Sequence, residues 1–111
     1  MADVVLTRNS LAENGTDLSA VETNMVSTND YYYDNTDGTP VIYLRASGGV
    51  NVTIETPFQG AGEDLPDKAI AMVADDVLIL KPRTRKFYNQ SDGRVKITVD
   101  ADNAYIAVLV P

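Results

Sequence analysis

The side chains in this 111-residue chain that can do chemistry are its carboxylates, its tyrosines and one dense run of cations, because histidine and cysteine are both absent. Without histidine, no side chain has an ordinary pKa suited to general-base work near neutral pH, and the commonest transition-metal ligand is missing. Without cysteine there is no thiolate nucleophile, disulfide framework or cysteine metal site. Oxygen chemistry remains. Asp34-Asn35-Thr36-Asp37-Gly38 has the composition of a calcium loop. Setting Gly38 at the sixth position of an EF-hand puts Tyr33 first and Leu44 twelfth, where carboxylates are required, so the segment reads as an Asp-Gly turn. Asp100, Asp102 and Asn103 supply too few oxygens for a calcium site, and Asp75-Asp76 reads as solvated loop. No carboxylate pair stands out as a glycosidase acid and nucleophile, and there is no serine nucleophile elbow, phosphate loop or dinucleotide fingerprint. The expectation is a protein that is not an enzyme and holds no cofactor or metal.

Lys81-Pro82-Arg83-Thr84-Arg85-Lys86 gathers four of the nine basic residues of a chain whose net charge is −7. If extended, it places Lys81, Arg83 and Arg85 on one face. Such a run is a charged strand edge that discourages aggregation, or a patch that docks on an acidic partner, and the two roles are compatible. Lys81, Arg83, Arg85 and Lys86 are therefore candidate partner-binding residues. The acidic balance argues against nucleic acid or an anionic membrane as that partner. No apolar run approaches the roughly 20 residues of a membrane-spanning helix. Tyr31-Tyr32-Tyr33 forms the second candidate set. In a strand, Tyr31 and Tyr33 face one way and Tyr32 the other, so at least one ring can be core. The others are available to an interface, where tyrosine is enriched, or as a platform for sugar. Asn14-Gly15-Thr16, Asn51-Val52-Thr53 and Asn89-Gln90-Ser91 match the glycosylation sequon. Met1-Ala2-Asp3 opens without a basic and apolar secretory leader, so they read as coincidence and the expected site of synthesis is the cytoplasm.

The elements that must position these residues are strands. Val95, Ile97 and Val99 alternate with Lys96, Thr98 and Asp100, the pattern of a strand with one buried face. After Asp100-Ala101-Asp102-Asn103, the run Ala104–Val110 is apolar on both alternating sets, as in a strand covered on both faces. The order predicts a C-terminal hairpin. Val50, Val52 and Ile54 alternate with Asn51, Thr53 and Glu55, and Val77–Leu80, Ala69–Val73 and Arg85–Asn89 are also strand-like. A second hairpin is predicted from Asn29–Asn35 through Thr36-Asp37-Gly38 into Val41–Ala46. Asp17–Thr28 is extended or at most one helical turn, because its second half is built of poor helix formers. The fold expected is a single all-β domain over residues 1–111. It is an antiparallel β-sandwich or jelly roll of about seven to eight short strands, with residues 1–28 as an extended N-terminal segment or arm.

The order of elements from residue 40 to 111 resembles the small head-decoration, or cement, proteins of tailed bacteriophages. The likeness rests on Val41–Arg45, Val50-Asn51-Val52-Thr53-Ile54-Glu55-Thr56-Pro57, a Gly/Asp-rich loop, Arg85-Lys86-Phe87-Tyr88, Ser91-Asp92-Gly93-Arg94-Val95 and a closing hairpin. The resemblance implies a structural virion protein, made in the host cytoplasm and added to the capsid exterior. It implies a homotrimer at three-fold positions, clamping the lattice of the major capsid protein. Tyr31–Tyr33 departs from that pattern and leaves open a carbohydrate- or receptor-binding module of a tail or head fibre, with Tyr31, Tyr32, Tyr33 or Tyr88 stacking on sugar.

Overall fold

Alternating residues become strands whose apolar faces meet across one core. The computed structural model describes residues 2–56, 59–60, 63–64, 68–81, 88–90 and 92–111. In chain order the elements are β1 (Asp3–Val5), β2 (Arg8–Ser10), a single helical turn α1 (Leu18–Val21), β3 (Thr23–Met25), β4 (Asp30–Asp34) and β5 (Val41–Ala46). There follow β6 (Val50–Ile54), β7 (Gln59–Gly60), β8 (Glu63–Asp64), β9 (Lys68–Met72), β10 (Val77–Leu80), β11 (Arg94–Val99) and β12 (Ala104–Val110). One sheet has the order β1-β4-β11-β6-β9; the other has β10-β5-β12-β2, with β3 also paired to β12. Among the described residues, β7 and β8 pair only with each other.

The chain is an all-β sandwich, and its connectivity is that of a jelly roll. Across the first sheet β4, β11, β6 and β9 lie in the same order as β3, β12, β5 and β10 across the second. Each strand is joined to its counterpart by a short crossing, through residues 26–29, 100–103, 47–49 and 73–76. These eight strands pair with one another only antiparallel, as a rolled-up pair of sheets requires. β1 joins β4 and β2 joins β12 in parallel, so both sheets are mixed.

Three expectations change. β4 and β5 do not form a hairpin, and neither do β11 and β12: in each case the chain passes from one sheet to the other. The reason lies in the turn chemistry, which ties each crossing to its neighbours. Asp100 accepts from the Asn51 backbone N–H and from Asn51 Nδ2, both at 2.7 Å, and Asp102 accepts from the Ser27 N–H at 2.8 Å. Asn103 Nδ2 donates to the Gly49 carbonyl, and Ala46 N–H to that of Asp76. Asp100 and Asp102, the carboxylates that might have shared a cation, hold three of the crossings side by side, and backbone bonds of Ala46 tie in the fourth. Residues 1–28 do not form a free arm either: within the described residues, β1, β2 and β3 lie in the sheets. Glu22 clamps Arg45 through two hydrogen bonds, of 3.2 and 2.7 Å.

Between the sheets lie Tyr31, Tyr33, Ile42, Leu44, Val52, Ile54, Val95, Ile97, Val99, Ile106 and Val108, all buried. Asn51, Thr53, Lys96 and Thr98 take the alternate, outward positions. The doubly apolar pattern of β12 has a physical cause. Its outer residues Ala107 and Leu109, with Tyr43, are covered by Leu18 and Val21 of α1. Among the described residues, no helix is long and apolar enough to cross a membrane.

Candidate functional site

The basic run departs from the end of β10, where Lys81 is exposed. Arg83, Arg85 and Lys86 lie outside the described residues. The chain returns at Tyr88, which packs against the core, and at Asn89, which bridges to Val95. That return is fixed by a clasp of two asparagines. Buried Asn35 donates from Nδ2 to Asn89 Oδ1 at 2.8 Å, and Asn89 Nδ2 donates to the Asn35 carbonyl at 3.1 Å. Asn35 N–H also reaches the Gly93 carbonyl. The chain therefore leaves the edge of one sheet at Lys81 and is described again at Tyr88, Asn89 and Gln90 beside the middle of the other, at the end of the sandwich away from the four crossings.

The tyrosines are separated by the pleat. Tyr31 and Tyr33 are 2% and 0% exposed, inside the core, so neither can touch a partner. Tyr31 also makes a polar contact, its hydroxyl accepting from the Val26 N–H at 2.7 Å. Among the described residues the Tyr33 hydroxyl finds no hydrogen-bond partner, and burial pushes its phenol above the ordinary value. Tyr32 faces outward, but the Arg94 guanidinium lies over its ring at 4.6 Å from the centroid. Within the 31–33 set, only Tyr32 keeps access to the surface, and its face is already stacked.

Around Tyr32 the outer face of the first sheet is charged but internally matched. Arg94 Nε meets Asp92 at 2.8 Å. Lys96 Nζ sits 3.3 Å from Glu55 and 3.9 Å from Asp30. Partial burial alone would lower the Lys96 ammonium, yet these two carboxylates push it above the ordinary lysine value. At the turn after β4, Arg8 binds Asp37 at 2.8 Å and lies 3.7 Å from Asp34. The Arg8 hydrogen bond, helped by the Thr39 N–H, holds the Asp37 carboxyl down to about 2. The Thr36 N–H and hydroxyl lower Asp34. The Asp34–Gly38 segment is thus a turn locked by an arginine, with Gly38 at φ 68°. Among the described residues, no group of three or more acidic side chains converges as a metal site would require.

Two features have no counterpart in the sequence reading. A groove of about 300 Å³ with a mixed lining, Val5, Leu6, Val21 and Val108 beside Thr7, Asn9 and Thr23, opens where β1 gives way to β2. It arises from packing of segments distant in sequence, for which no local pattern exists. The second is the outer edge of β10, which among the described residues pairs only with β5 and where Val77 and Ile79 are 55% and 67% exposed. Its apolar sequence is visible; its place at a sheet edge is not. Comparison with models of protein families, with curated proteins and with solved structures finds no match to this chain.

Proposed function

We propose that the protein is a non-enzymatic structural component of a tailed-phage virion that attaches to the outer surface of the capsid lattice and strengthens it. The observation that carries this reading is the burial of Tyr31 and Tyr33. It withdraws two of the four rings that could stack on sugar, Tyr32 and Tyr88 staying part-exposed, and so favours charge and sheet edges as the features that meet a partner. Lys81 at the exit of β10 starts a run of four cations in six residues on a chain of net charge −7. A concentrated cationic patch on an acidic body selects an acidic surface and orients the body away from it. The jelly-roll sandwich supplies a rigid body for such a contact, and the stacked crossings supply its stiffness at the opposite end. The resemblance to decoration proteins supplies the class of surface and the three-fold arrangement.

The test is attachment. Purified protein is mixed with undecorated shells of the phage that encodes it, and the shells are sedimented. Wild type should pellet with the shells at low salt and be released as salt rises, because exposed charge pairs are screened within about 10 Å at 0.1 M salt. Replacing Arg83, Arg85 and Lys86 together with Ser should abolish pelleting and leave the circular dichroism spectrum unchanged. Wild type that stays in the supernatant at low salt would overturn the reading.

A further inference from the structure

We propose that Asn14 is a site of spontaneous modification, where the side-chain amide is converted through a cyclic imide to aspartate and isoaspartate, and that the turn around it sets the rate. The chain holds three steps of the Asx-Gly kind: Asn14-Gly15, Asp37-Gly38 and Asp92-Gly93. In all three the glycine takes a positive φ, of 105°, 68° and 82°. Glycine is the residue that permits the reaction, because it has no Cβ to keep its nitrogen away from the preceding side chain.

The three turns hold the nucleophile alike. Gly15 N–H donates to the Ala12 carbonyl at 3.0 Å, Gly38 N–H to that of Asn35 at 3.2 Å, and Gly93 N–H to that of Gln90 at 2.9 Å. The electrophile differs. Asp37 accepts from Arg8 at 2.8 Å and from the Thr39 N–H at 3.1 Å. Asp92 accepts from Arg94 Nε at 2.8 Å and from the Arg94 N–H at 3.0 Å. These bonds hold both carboxyls below their ordinary value, so they stay ionised, and a carboxylate both repels a nucleophile and lacks a leaving group. Asn14 instead offers a neutral amide that can release ammonia. It is exposed, and its side chain makes no hydrogen bond with the described residues. Asn9, Asn24, Asn35, Asn51, Asn89 and Asn103 each donate through Nδ2, and Asn29 is followed by Asp30, not glycine.

The step balances with water alone. The Gly15 N–H gives its proton to solvent base, and the nitrogen attacks Asn14 Cγ. The Cγ–Nδ2 bond breaks and ammonia leaves, closing the imide. Water then opens the ring at either carbonyl, giving aspartate or an isoaspartate whose main chain runs through Cγ. Either product adds one negative charge to the net −7. Because Gly15 N–H is engaged, the turn must open first. Thr16 opposes opening: its Oγ1 accepts from the Ala12 N–H at 2.9 Å and closes the loop. The new charge falls at the end of the sandwich from which the basic run departs, since Ser10 pairs with Val110, and Leu80 with Ile42 beside Val108. In the function proposed above that end meets the shell; the reaction itself does not depend on that reading.

The free protein is aged in mildly alkaline buffer, with and without urea, and its peptides are mapped by mass spectrometry. Isoaspartate is counted with an isoaspartyl methyltransferase and a labelled methyl donor, which also detects isomerised aspartate, where mass does not change. The folded wild type should deamidate at Asn14 and take label at that position alone. Asn14→Gln should remove the label, because its side chain would have to close a larger, slower ring. Thr16→Val, with its thermal melt unchanged, should speed the reaction about fivefold, the gain in open turn that loss of one ordinary hydrogen bond gives. Thr16→Ser keeps the oxygen and should react like wild type. In urea, where Arg8 and Arg94 let go, label should appear at Asp37 and Asp92 as well. Asn14 that stays intact in the folded protein, label at Asp37 or Asp92 there at a matching rate, no added label at those two in urea, or an unchanged rate in Thr16→Val would each overturn the proposal.

Discussion

Converting Tyr31 and Tyr33 to Phe, one at a time, should have opposite consequences although the two residues are neighbours on one face of β4. Both rings are buried, so each substitution removes one oxygen from the same core without removing the ring. At Tyr31 that oxygen accepts the Val26 N–H at 2.7 Å. Its loss forfeits a net hydrogen bond of about 1 kcal/mol and leaves a half-buried N–H unpaired, for a total of roughly 1–2 kcal/mol. At Tyr33 the hydroxyl is buried with no partner among the described residues, and its desolvation is a cost that Phe does not carry. Tyr33→Phe should be neutral or stabilising by up to about 1 kcal/mol. The alkaline limb offers a second readout. The folded phenol of Tyr33 titrates above its unfolded counterpart, so its contribution is fully present below the unfolded value of about pH 10 and is lost as pH rises beyond it. Tyr33→Phe should flatten that decline. Urea titrations at pH 7 and pH 11, with the m-value checked for constancy, measure both effects. Equal losses at the two positions, or a larger loss at Tyr33, would refute the assignment of hydrogen bonds inside the core.

Ile97→Ala, in the centre of the core, should cost about 2–5 kcal/mol, whereas Thr98→Ala on the outward face should stay within about 0.5 kcal/mol, both read from urea midpoints. Gly93 has φ 82° and a Cβ there would overlap the Thr36 methyl, so Gly93→Ala should lose about 1–3 kcal/mol in the same titration. Asp37 is held at about 2 against an ordinary 3.8, so the stability it lends is present above about pH 4 and lost as pH falls through about 2. Melting temperatures measured across that window should fall less steeply in Asp37→Asn.

What can be read from the sequence is local, and what cannot is the choice of partner. Val50–Ile54 and Val95–Val99 alternate strictly, and their apolar residues form the buried faces of β6 and β11. The two-faced run at Ala104–Val110 signals a covered strand, and α1 provides the cover. The turns mislead because a short polar break such as Asp100-Ala101-Asp102-Asn103 is the same chemistry whether it closes a hairpin or carries the chain between sheets. The difference lies in Asn51 and Ser27, residues from other segments that bind those aspartates. The pleat puts Tyr31 and Tyr33 on one face, but only the position of β4 between β1 and β11 turns that face inward. Nothing local marks Asn35 as the buried partner of Asn89, or Glu22 as that of Arg45.

The proposed role places this chain in a tailed-phage virion, and the measurement that bears on it most directly is the protein inventory of virions purified from a phage whose genome carries this sequence, quantified by mass spectrometry before and after a high-salt wash. The account predicts the chain in a fixed proportion to the major capsid protein before the wash, and its selective release afterwards, with the shell intact and open to re-binding. Virions that lack the chain altogether would contradict it.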